Sequence, residues 1–129
     1  MSVFTLDGVS YNVFVPENGI RRSGKILDGE NAGRTPSGVM IRDIIGTYYN
    51  YSMDIDTQQT DVAEYDTLYE VLTAPVDYHV IVVPYGQGTL TFNAYVTSAE
   101  DTLITMADGV NRWGGLTISF VAMKPQRTP

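Results

Sequence analysis

The sequence predicts a mainly β protein, an antiparallel β-sandwich or barrel of about seven strands with one α-helix, at about 61–74, packed on a flank or open end. Three observations predict it. Apolar residues recur at every second position in short runs bounded by Gly, Pro, Asn and Asp. One stretch alone abandons that period for helical spacing. The length, 129 residues, suits a single core, so residues 1–129 read as one β-rich domain.

The elements follow in order. Phe4 and Leu6, then Val9, Tyr11, Val13 and Val15, alternate around Asp7-Gly8. Both turn residues tolerate positive φ, so a β-hairpin is expected, closed by Pro16 and Gly19. Ile20 to Asp28 reads as extended, with Ile26 and Leu27 buried. Residues 29–38, with Gly29, Gly33, Gly38, Pro36 and Asn31, read as a long exposed loop. Val39 to Ile45 fits either an irregular strand or a turn. From Thr47 a half-buried strand is clear: Tyr49, Tyr51, Met53 and Ile55 share one face, and Tyr48, Asn50, Ser52, Asp54 and Asp56 share the other.

The period then changes. Val62, Tyr65, Tyr69 and Leu72, widened by Leu68 and Val71, form a helical stripe. Asp61 is the expected N-cap, Glu64 the capping-box acid, and Pro75 the stop. Strands resume at Tyr78–Val83, and Pro84-Tyr-Gly-Gln-Gly88 reads as a bulged hairpin turn. Leu90, Phe92, Ala94 and Val96 face one way. Leu103 to Met106 reads as a short or bulged strand before a turn at Asp108-Gly109. Leu116, Ile118, Phe120 and Ala122 mark a central final strand, and residues 125–129 a frayed tail.

Charge and composition narrow the function. With 15 acidic and 8 basic residues the chain carries a net charge of -7, which argues against specific nucleic-acid binding. Cysteine is absent, so disulfides, thiolate metal sites and cysteine nucleophiles are excluded together. The N-terminal residues lack a basic region followed by an apolar run, so no signal peptide is expected. No apolar stretch approaches the ~20 residues needed to span a bilayer, so the expectation is a soluble protein without a membrane partner.

Candidate chemistry is thin. His79 is the single histidine, and no Gly-x-Ser-x-Gly is present, so a hydrogen-bonded structural histidine outweighs a general base. Asp54 and Asp56 lie two apart on one strand face, where they could meet a hard cation or a sugar. They lack the further oxygen ligands of a calcium loop, and a solvated face is the stronger reading. Residues 29–35 lack the Gly-Lys-Ser/Thr of a phosphate-binding loop. Tyr85-Gly-Gln-Gly-Thr-Leu90 is similar to the joining segment of antibody domains, but the paired cysteines of that framework are missing. Trp113 reads as a core residue beside a strand-start bulge, with an exposed anchor as the alternative. Tyrosine, with nine copies, suits interfaces and also carbohydrate stacking. No catalytic, cofactor-binding or metal-ligating residues are assigned; the expectation is a non-enzyme without a cofactor.

Asp28-Gly-Glu-Asn-Ala-Gly-Arg34, Ile41-Arg-Asp-Ile-Ile-Gly-Thr-Tyr-Tyr49 and Trp113-Gly-Gly-Leu-Thr-Ile-Ser-Phe-Val-Ala122 resemble small proteins encoded by tailed phages and prophages of Gram-positive gut bacteria. The order of strands, long loop, helix and strands is similar to the tail-tube-like fold. The resemblance implies a virion component of the tail or neck that assembles as a ring homo-oligomer and meets other phage structural proteins. It implies a place in the virion, and in the host cytoplasm during assembly. An acidic surface would suit a channel that must not hold passing DNA. The expected contact residues are Glu30, Asn31 and Arg34 on the loop, and Tyr48, Asn50, Asp54 and Asp56 on the outer strand face. The alternative is a carbohydrate- or host-surface-binding β module.

Overall fold

The computed structural model describes residues 3–56 and 60–129. Strands run at Thr5–Leu6 (β1), Ile20–Asp28 (β2), Gly33–Arg34 (β3), Met40–Ile41 (β4) and Ile44–Ile55 (β5). Helix α1 spans Val62–Leu72, and His79–Tyr85 (β6), Gly88–Ala107 (β7) and Val110–Ala122 (β8) complete the chain. The protein is mainly β and antiparallel, with one helix among the described residues. Six strands form one sheet in the order β1-β6-β7-β8-β5-β2, and β3 and β4 form a second, two-stranded sheet. No closed barrel forms; β1 and β2 are the edges. The single-domain expectation extends to residues 1, 2 and 57–59, and the signal-peptide reading begins at residue 1; these positions lie outside the described residues.

Alternation places the core as expected. Tyr51, Met53 and Ile55 on β5, Ile81 and Val83 on β6, and Leu116, Ile118 and Phe120 on β8 are buried on one face. Tyr65, Leu68 and Leu72 of α1 cover that face. Burying each large side chain contributes roughly 1.5–3 kcal/mol, which is why the register is strongly specified. The sheet is also curled over its core. In a flat sheet β5 and β6, separated by two strands, would lie about 14 Å apart. Here the Tyr51 hydroxyl donates to the Pro84 carbonyl at 2.9 Å, and Tyr85 donates to the Tyr49 hydroxyl at 3.2 Å.

Several expectations need correction. Asp7 and Gly8 do adopt positive φ, 52° and 81°, and Leu6 meets Val9 across the turn. The hairpin goes no further, because β1 pairs with β6 instead. Residues 9–15 cross towards the helix, where Tyr11 is buried. Asn12 there binds the helix start: its carbonyl accepts from the Asp61 N–H at 3.0 Å, and its own N–H donates to Glu64 Oε1 at 3.1 Å. Asp61 is the N-cap, accepting from the Ala63 and Glu64 amides, but Glu64 serves Asn12 rather than closing a capping box.

The 29–38 loop is not a plain loop, since β3 pairs with β4 through a turn at Gly38. The turn after Tyr85 is regular, with Tyr85 opposite Gly88. Leu103 to Met106 belongs to the long strand β7, whose register shifts three times against β8 before the Asp108-Gly109 turn. Trp113 lies on this projecting β7–β8 arm, 37% exposed, rather than in the core. β5 leaves β8 after Leu116, so the arm extends past the sheet that would have covered the indole. The expected frayed tail is instead held as far as Arg127. The Thr47 N–H donates to the Arg127 carbonyl at 2.8 Å, and Gln126 bonds both backbone groups of Tyr49 at 2.9 and 3.0 Å. The tail supplies the partner that β8 denies this part of β5.

Candidate functional site

β5 carries the expected outer face, but much of it is already engaged. Arg21 on β2 grips Asp54 through two bonds of 3.0 and 3.1 Å, and its Nε donates to Ser52 Oγ at 3.1 Å. The guanidinium holds the Asp54 carboxyl below its ordinary range, against the opposing effect of desolvation. Asp56 lies beyond the end of β5, its N–H donating to the Phe14 carbonyl and its carbonyl accepting from Thr60 Oγ1 at 2.6 Å. Asp54 therefore faces Arg21 rather than a shared cation. Among the described residues, no three His, Asp or Glu side chains gather to hold a metal ion.

Asn50 turns to the sheet, its Oδ1 accepting from the Ala122 N–H at 3.0 Å. Tyr48 is half-buried opposite Lys25. On the β3–β4 arm Glu30 is exposed, the Asn31 N–H donates to Asp43 Oδ2 at 3.3 Å, and Arg34 donates to the Gly38 carbonyl at 2.9 Å. Tyr48, Asn50 and Asp54 thus line one strand face, whereas Glu30, Asn31 and Arg34 belong to a separate arm.

His79 is buried, and its Nδ1 lies 2.7 Å from Asp7 Oδ2. Asp7 also accepts from the Val80 N–H at 2.9 Å. Partial burial raises the Asp7 carboxyl, but the bonds from His79 and Val80 outweigh it and leave the group below its usual range. This pair ties the first turn to β6, a structural role.

Two surfaces escaped the expected set. The first is apolar. Ile26 and Leu27 are 58% and 48% exposed, not buried, and Val39, Met40, Ile41, Ile44 and Ile45 are also exposed along the segment joining β2 to β5 and at the start of β5. The sequence held a signal for this: Ile26-Leu27, Met40-Ile41 and Ile44-Ile45 are adjacent apolar pairs. A strand points neighbours to opposite faces, so one member of each pair must face away from any single core.

The second is a groove of about 620 Å³ between α1 and the β7–β8 arm. α1 presents Tyr65, Asp66, Tyr69 and Glu70, β7 presents Asp101, and β8 presents Trp113. The Tyr65 hydroxyl donates to Asp101 Oδ2 at 2.9 Å and that of Tyr69 to the Ala99 carbonyl at 3.4 Å. Burial, reinforced by Asp101, pushes the Tyr65 phenol far above its usual range, so it remains a donor. Asp66 and Glu70, four apart on the helix, have no basic partner among the described residues. Such like-charge spacing weakens a helix by a few tenths of a kcal/mol. Comparison of the chain with protein-family models and with curated protein sequences gives no match.

Proposed function

We propose that the chain is a non-enzymatic structural protein of a phage or prophage virion, a tail or neck component that assembles as a ring with copies of itself and contacts other virion proteins. The observation that carries this reading is the exposed apolar arm between β2 and β5. Large apolar side chains scattered singly on a surface are ordinary, but seven exposed ones within residues 26–45 are a concentration that favours a binding surface. The resemblance of the 28–49 and 113–122 segments supplies the virion context. The first of these segments includes most of the arm.

Light scattering and negative-stain microscopy across protein concentration and salt test the reading. Discrete ring-shaped oligomers are expected. A strict monomer at all concentrations that binds glycans on an array would overturn it and favour a carbohydrate-binding module.

A further inference from the structure

We infer that the groove between α1 and the β7–β8 arm receives the basic edge strand β2 of a second copy of this chain, a head-to-tail contact; this deepens the assembly reading and rests on it. The argument begins with charge. In a chain of net charge -7 with only 8 basic residues, Arg21, Arg22 and Lys25 fall within five positions of β2. Asp54 occupies Arg21. Arg22 stacks over the Tyr85 ring at 5.2 Å, and neither it nor Lys25 has a carboxylate partner among the described residues.

The groove offers the complement. Asp66 and Glu70 have no basic partner among the described residues, and Asp101 stands opposite them on β7 with one oxygen already accepting from Tyr65. Tyr69 and Trp113 add aromatic faces that attract cations. Arg112 lines the adjoining pocket with Asp66 and Trp113 but forms no ion pair there among the described residues. The apolar parts also match: Leu27, 48% exposed, shares the strand face of Lys25, and Val62, Val110 and Trp113 line the groove.

The same charges disfavour the simplest alternative. β2 is a nine-residue edge strand with one side unpaired, and such edges invite pairing with their own kind. Two copies of β2 set side by side would oppose Arg and Lys clusters, a repulsive arrangement. A basic strand against an acidic groove is attractive. It also joins two different patches of one surface, the type of contact that closes into a ring when its rotation permits.

Charge reversal tests the contact. Lys25→Glu and Glu70→Lys both change exposed side chains without a hydrogen-bond or ion-pair partner among the described residues, so folding should be retained; circular dichroism checks this. Sedimentation velocity of each single variant is expected to show about tenfold weaker self-association than the unchanged chain. The double variant Lys25→Glu/Glu70→Lys, and an equimolar mixture of the two single variants, should recover association. Single variants that assemble as the unchanged chain does would overturn the contact while leaving assembly standing. Weakening without recovery in the double variant would also overturn it. If the unchanged chain is monomeric at every concentration, both readings fall.

Discussion

Two positions decide how the ends of the chain are held. Asp7 adopts a positive φ and accepts from both His79 and the Val80 amide, so Asp7→Asn keeps the turn while weakening a charge-assisted bond. Asp7 is about half exposed and screened by water, so the expected cost is about 1 kcal/mol at pH 7. Its folded pKa is depressed, so this stabilisation is present above the unfolded value of about 3.9 and is lost as pH falls through the folded one. Urea unfolding of both proteins should therefore differ at pH 7, begin to converge only as pH falls below about 4, and coincide once pH is below the depressed folded value. Gly46 is the second position. A Cβ there would sit 2.5 Å from the Arg127 carbonyl and 2.6 Å from Pro125 Cβ, both in the docked tail. Gly46→Ala is expected to cost about 1–3 kcal/mol through overpacking. The same substitution in a chain ending at Lys124 should cost far less, a coupling that a double-mutant cycle reads directly.

At the scale of elements, the helix and the tail make opposite points about what the residues reveal. The helix was legible, because the 3.6-residue stripe, Asp61 and Pro75 are all local signals. Replacing Asp61 with Ala removes acceptors for the Ala63 and Glu64 amides and is expected to lower stability by about 1 kcal/mol in thermal or urea unfolding. The docking of the tail was not legible, because nothing in Pro-Gln-Arg-Thr-Pro specifies a partner 77 positions away, as Gln126 finds in Tyr49. Long-range pairing also redirected residues 9–15: a strong local turn at Asp7-Gly8 was kept, and its second arm was recruited by the helix end. The period-two strands were legible where one face is buried, as in β5 and β8. The burial of Ile26 and Leu27 was misjudged because alternation tells which residues share a face, not whether anything covers that face. The expected contact residues split for a related reason: Asp54 and Asn50 are polar and outward in pattern, yet Arg21 and the Ala122 amide already engage them.

For the whole molecule, the question is whether the exposed apolar arm serves folding or association, and the two roles make separable predictions. A standard interface takes roughly 800 Å² from each partner, about a tenth of this chain's 8190 Å² of surface. A ring subunit needs two such patches, and the β2–β5 arm and the α1 groove are distinct places on the fold. Ile26→Thr with Ile41→Thr keeps β-branching and removes apolar surface at two exposed positions, 58% and 50% accessible. The stability of the monomer should then stay within about 0.5 kcal/mol, as for surface changes generally. Self-association should fall, because those side chains are the ones left for a partner to cover. Ile118→Ala supplies the contrast. Its side chain is fully buried on the central strand, so it should lose roughly 2–5 kcal/mol of stability. Unfolding curves and sedimentation on the same samples separate the roles. If the paired Thr variant unfolds like Ile118→Ala, the arm is part of the core in solution. If it unfolds like the unchanged chain and also associates like it, the arm is not the contact surface.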